Sequence, residues 1–258
     1  MQALVYTPAM QGQGEFDGGN IKEQKPIGFP GEGSVVKRVG PLFYWAWATS
    51  SADGLIGWHP HKGFEIMTYV IAGAGHHEDS LGTRSTVGAG GAQVMQTGSG
   101  VSHQERVDAG SELFQIWFEP DLAKAFSREP TYRQHAHEDF PSEALPDGTT
   151  VKRVIGDGAP VEVVTDVRMW DVIIGVGAEY RQRIGAGRTL TALAVRGQGA
   201  WGSSDADRPP EPFRHKDFIV SAAGADTEAV IANTGEVALR LVLIEVPSVV
   251  NYALYPKR

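Results

Sequence analysis

The chain has 258 residues, 41% of them hydrophobic and 21% charged, enough for one large globular domain or two smaller ones with separate cores. Its net charge of −8, with no block of lysine or arginine, argues against nucleic-acid binding through a basic face, and no apolar run is long enough to cross a bilayer. Cysteine is absent, which excludes disulfides and thiolate ligands and leaves His, Asp and Glu to hold any metal.

Met1-Gln2-Ala3-Leu4-Val5-Tyr6-Thr7-Pro8 lacks the basic start and apolar core of a signal peptide, so the expected address is the cytoplasm. The 32 glycines suit an all-β protein rich in tight turns. Short β-type runs then follow one another: Leu42 to Trp47, Phe64 to Ile71, Ala92 to Met95 and Leu113 to Phe118, with Gly, Pro, Asp or Ser between them. Such close spacing predicts a sandwich or barrel rather than βαβ units. Pro120 to Pro146 is polar and proline-containing and reads as a linker; within it Asp121 to Ser127 is the best helix candidate. A second β-rich series runs from Thr150 to Glu245 without any His-x-His pair. The expected division is an N-terminal metal-binding barrel over 1–132 and a C-terminal barrel without metal ligands over 133–258, whose last strand or tail can pack on the first.

The chemistry concentrates in His59-Pro60-His61, with Gly63-Phe64-Glu65 just after it, and in His103-Gln104-Glu105. Residues at i and i+2 of a strand share a face, so each cluster can aim two side chains at one point. Three imidazoles and a carboxylate suit Fe, Mn, Ni or Zn, and on an octahedral ion leave two positions for substrate or oxygen. Glu65 lies an even number of residues from His61 and competes with Glu105 for the carboxylate position, unless Gly63 marks a bulge that swings it away. His76 and His77 read as a solvated strand start after the Gly73-Ala74-Gly75 hairpin, and His135-Ala136-His137 as surface. Gly88 to Gly91 is no phosphate loop, because neither Lys-Ser/Thr nor a helix follows.

Gly57 to Val70, His77 to Gly82, Gly98 to Glu105, Gln115-Ile116-Trp117 and Glu129 to Tyr132 together resemble the signature of the pirin family within the cupin superfamily, in the same order. The resemblance implies a bicupin: an all-β fold of two antiparallel β-barrels of jelly-roll type, with one metal in the N-terminal barrel. It implies His59, His61, His103 and Glu105 as the metal ligands, favouring Glu105 over Glu65, with Fe(II) the usual ion and Zn, Mn or Ni accepted. Gly91 and Val94 stand where pirins commonly carry Asp and Trp, which predicts a pocket less able to stack a flavonol ring.

The function implied is metal-dependent dioxygen chemistry on a small aromatic diol, enol or flavonol, of the quercetin 2,3-dioxygenase type. Its partners are then a small aromatic substrate and O2, and Glu105, or Glu65 behind it, takes the substrate hydroxyl proton. The alternative is a metal-dependent redox sensor or transcriptional co-regulator without turnover, with a protein partner. Neither version calls for direct nucleic-acid binding or a membrane.

Overall fold

The computed structural model describes residues 2–205 and 208–257. Strands dominate, and every strand pairing is antiparallel among the described residues. Two compact units emerge, and they do not follow a single cut in the sequence. One comprises 11–139, 160–165 and 251–258; the other comprises 1–10, 140–159 and 166–250.

The first unit is a jelly-roll sandwich. Its seven-stranded sheet runs, in order, Thr131–His135, Ala92–Gln96, Glu65–Ala72, Glu112–Phe118, Leu42–Ser50, Ile21–Ile27 and Gly12–Phe16. Its four-stranded sheet runs Gly54–His61, Val101–Val107, Ala74–Asp79 and Arg84–Gly88. Both sheets keep free edges instead of closing into the barrel that the sequence suggests. Ile21, Ala48, Val70 and Leu113 from the larger sheet meet Val87 and Val107 from the smaller one in a buried cluster. The second unit repeats the plan, with a seven-stranded and a four-stranded sheet around a core that includes Val172, Leu190, Ile231 and Leu241, with Trp201 buried among them.

The polar stretch after Pro120 is more than a linker. It begins with the helix Leu122–Ala125, capped by the Asp121 carboxylate accepting from Ala123 N at 3.2 Å. It then supplies an edge strand to each seven-stranded sheet, Thr131–His135 and Ser142–Ala144. Edge strands carry exposed polar side chains, which is why the alternation that marks a half-buried strand is missing there. Among the described residues no helix is long and apolar enough to cross a membrane.

Candidate metal centre

Three features of the four-stranded sheet build the site. Gly54–His61 is its edge strand, where Pro60, which has no N–H to give, is tolerated between two histidines. Its neighbour Val101–Val107 alternates strictly, burying Val101, His103, Glu105 and Val107 on the inner face. The register between them slips: His103 pairs with His59, but Glu105 pairs with Ile56. Gly57 and Trp58 therefore oppose the single residue Gln104. This bulge lets Ile56, which joins the core, and His59, three residues later, face the same way.

The result gathers His59, His61 and His103. Their donor atoms all lie within 4.8 Å of one another, and the ring centroids are separated by 4.3 Å for His59–His103 and 4.8 Å for each of the other two pairs. Burial, followed by the nearby His103 and His59 rings, lowers the His61 pKa to about 3; burial, followed by His59 and His77, does the same for His103. Both rings are thus neutral at ordinary pH, the state a metal ligand needs. Nδ1 of His59 lies 2.7 Å from the Gly57 carbonyl, an acceptor only, so Nδ1 is the donor there and Nε2 is the nitrogen left to face a metal. Nε2 of His103 is buried without a hydrogen-bond partner, and a coordinated metal accounts for such an atom. The donor set therefore fits a divalent metal.

Glu105 stands beside this trio on the same inner face. Its carboxylate accepts from Gln115 Nε2 at 2.9 and 3.1 Å and from Thr68 Oγ1 at 3.4 Å, and its charge acts on His61. Glu65 is elsewhere. Gly63, at φ +85°, ends the first strand and turns the chain into the other sheet, so the even spacing from His61 no longer fixes where Glu65 points. Glu65 is buried, and its oxygens accept from Val164 N at 2.6 Å, Thr165 N at 2.9 Å, Thr165 Oγ1 at 2.6 Å and Gln96 Nε2 at 2.8 Å. A carboxylate so occupied holds the 160–165 segment and supplies neither a ligand nor a base to the histidines.

The expectation that His76 and His77 are both solvated is overturned for His77. Ala74–Asp79 alternates, burying Gly75, His77 and Asp79 while His76 faces outward to Thr86 and Asp108. His77 Nε2 lies 2.9 Å from Asp79 Oδ2, its Nδ1 lies 3.4 Å from His103 Nδ1, and its ring stacks on Tyr132 at 4.4 Å. The signal that could have found the pair is the His77-x-Asp79 spacing, the same i, i+2 pattern as the two clusters already singled out. Val94 does not reach the site: its neighbour Gln93 bonds Thr68 and Tyr132 on the inner side, while Val94 pairs with Met67 on the opposite face. His135 and His137 lie outside the converging group.

Two openings adjoin this region, one of them with His61 in its wall. One, of about 460 Å³, is lined by His61, Lys62, Ser80 and Ser102. The other, of about 420 Å³, is walled by Phe29, Phe43, Phe64, Trp117 and Tyr255, with Lys257 at its side. Trp117 belongs to both neighbourhoods, since its ring meets His61 edge-on at 4.8 Å. Its buried Nε1 has no hydrogen-bond partner.

Residues 44–118 match the family model described as Pirin. The chain is 33% identical over 159 residues to "Pirin-like protein" of Solanum lycopersicum, covering 59% of this chain and 54% of that one. It is 44% identical over 68 residues to "Quercetin 2,3-dioxygenase" of Escherichia coli K12, covering 25% and 29%. The chain spans little more than half the length of the pirin-like relatives it matches over longer stretches. Among solved structures it shares its fold with the bacterial pirin YhhW of Escherichia coli in complex with nickel(II), at a TM-score of 0.74 and 21% identity over 95% of this chain and 99% of that one.

Proposed function

Residues 44–118 make this a pirin-family chain, and from that premise we propose that it is a metal-dependent dioxygenase acting on a small aromatic enol or diol, with quercetin-type flavonols as the substrate class to test. The observation that carries the reading is the convergence of three imidazoles, one of them with a buried Nε2 that has no hydrogen-bond partner, near an aromatic-walled opening whose Trp117 meets His61. His59, His61 and His103 would hold one divalent transition ion, with Glu105 as the fourth ligand and Fe(II) as the ion. The nickel in the related fold supports a divalent ion of this class.

When bound, such an ion lowers the pKa of a hydroxyl brought to it and offers open positions for further ligands. The chain does the rest. Trp117, beside His61 and in the wall of the aromatic opening, can stack a flat ring. Glu105, oriented by Gln115 and Thr68, is the base placed to take the substrate hydroxyl proton. The walls from Phe29, Phe43 and Phe64 exclude water from the face on which the ring would lie.

The test is anaerobic loading with Fe(II), then O2 uptake against a panel of flavonols and catechols. Uptake that depends on both Fe(II) and a flat phenol supports the enzyme. Stoichiometric Fe(II) with no uptake on any phenol favours the redox-sensing alternative, and no bound metal at all rejects both.

A further inference from the structure

Behind the three histidines lies a buried chain of polar groups that the proposed chemistry does not itself use. Asp79 Oδ1 accepts from Leu81 N at 2.9 Å and from Thr83 N at 3.0 Å. Its other oxygen, Oδ2, is 2.9 Å from His77 Nε2, both side chains being fully shielded from solvent. His77 Nδ1 is in turn 3.4 Å from His103 Nδ1. The stacked ring of Tyr132 covers His77, with its hydroxyl fixed by Gln93 at 2.8 Å and by Ser85.

Hydrogen-bond polarity reads along this chain in one direction. A carboxylate can only accept, so His77 must carry its proton on Nε2. A neutral His77 then presents a lone pair at Nδ1, and the only proton that can fill the gap is the one on His103 Nδ1. That leaves the lone pair of His103 on Nε2, the atom with no partner in the protein. We propose that Asp79 and His77 are positioning residues that fix His103 as the Nδ1–H tautomer and so present its Nε2 to the metal. The inference rests on the metal reading of the site, yet the hydrogen-bond chain can be read in the metal-free protein. It reaches one residue further back than a single partner on a ligand would, and it ties the ligand to the turn at 79–83.

The geometry gives an unusually discriminating substitution. In Asp79→Asn the two backbone N–H groups of Leu81 and Thr83 require the amide carbonyl at the Oδ1 position, which places the NH2 against His77 Nε2. His77 must then accept there and donate from Nδ1, and His103 must accept at Nδ1 and carry its proton on Nε2. The exchange is nearly isosteric but reverses every bond in the chain. His77→Gln should do the opposite: its NH2 can donate to Asp79 while its carbonyl accepts from His103, which keeps the working tautomer. His77→Leu keeps neither bond.

The experiment uses protein labelled with 15N-histidine, whose long-range 1H–15N correlations give the tautomer of each ring without metal, together with Zn(II) titration against a chromophoric chelator. Wild type should show His103 as Nδ1–H. Asp79→Asn should show it as Nε2–H and bind Zn(II) about 10- to 100-fold more weakly. His77→Leu should weaken Zn(II) binding similarly, with His77→Gln restoring most of the loss. His103 as Nε2–H in wild type, an unaltered tautomer in folded Asp79→Asn, or a reversed tautomer with unchanged Zn(II) affinity would each overturn the proposal. Wild type with Nδ1–H His103 but no Zn(II) uptake would support the hydrogen-bond chain and count instead against the metal reading.

Discussion

Glu65 and Thr165 are joined twice, the backbone N and the side-chain Oγ1 of Thr165 both donating to the same oxygen, Oε2, at 2.9 and 2.6 Å. This pairing across 100 residues uses a carboxylate that lies only four positions beyond His61. Glu65→Ala would leave the buried Thr165 amide and hydroxyl, and the partly buried Val164 amide, without their acceptor. We expect it to destabilise the first unit by about 3 kcal/mol, in line with hydrogen bonds to charged groups. Metal content in the folded fraction should stay unchanged. Urea denaturation beside elemental analysis checks both, and metal loss at full stability would return Glu65 to the ligand set.

The ligand assignment has its own test. His59→Ala and His103→Ala should each lose most bound metal, while His135→Ala, outside the converging group, should keep it. Glu105→Gln should weaken binding without unfolding the chain, since its Gln115 and Thr68 contacts tolerate an amide after reorientation. Full occupancy in His59→Ala, read by elemental analysis, would dismantle the site as described.

Legibility in the sequence followed how local each feature is. His59, His61 and His103 are legible because i, i+2 spacing fixes their faces within a strand, and the short helix within 121–127 because its signal lies in adjacent residues. The burial of His77 is not legible locally, because adjacent histidines face opposite ways and only the pairing of its strand with Val101–Val107 decides which one is buried. The interleaving of the two units could not be read either, since residues 160–165 join the first unit through bonds to Glu65 that no short-range pattern announces.

Gly63 sets the corner between the two sheets. Its φ of +85° disfavours any L side chain, and a Cβ there would lie 2.5 Å from the Phe126 ring and 2.9 Å from Leu122. Gly63→Ala should cost about 1–3 kcal/mol from the backbone conformation alone. Equilibrium urea unfolding would show it; an unshifted midpoint would mean that the corner relaxes freely.

Aromatic recognition should depend on Trp117 and not on position 94. Trp117→Leu should weaken flavonol binding by a factor of about two to twelve, the stacking contribution of roughly 0.5–1.5 kcal/mol beyond area burial. Val94→Trp, facing away from Thr68 and Gln93, should leave affinity unchanged and destabilise by about 1–3 kcal/mol through overpacking. Calorimetric titration separates the two, and a gain in affinity from Val94→Trp would contradict the facing described.

The second unit carries a pH signature. Burial pushes the Lys152 ammonium down to about 8 from an ordinary 10.5, with attraction to Asp171 and repulsion from Arg240 as smaller influences. Below pH 8 the charge is present in both folded and unfolded chains, so the cost of burying it is fully felt. Between about 8 and 10.5 the folded chain releases its proton first, and stability rises with pH. Denaturation at pH 7, 8, 9 and 10 should show this rise reduced in Lys152→Met; parallel curves would refute the assignment.

Two of the three histidines lie on Gly54–His61, a strand paired on one side only, whereas the third lies on its better-anchored neighbour. An ion shared between them would act as a rivet between a peripheral strand and the interior of its sheet. Opening of that strand would detach two ligands in one event, so the ion would leave at the frequency with which the margin of the sheet breathes. Amide exchange along 54–61 would then slow on loading while exchange deep in the larger sheet stayed the same, making the rim of the fold, and not its core, the clock for metal residence.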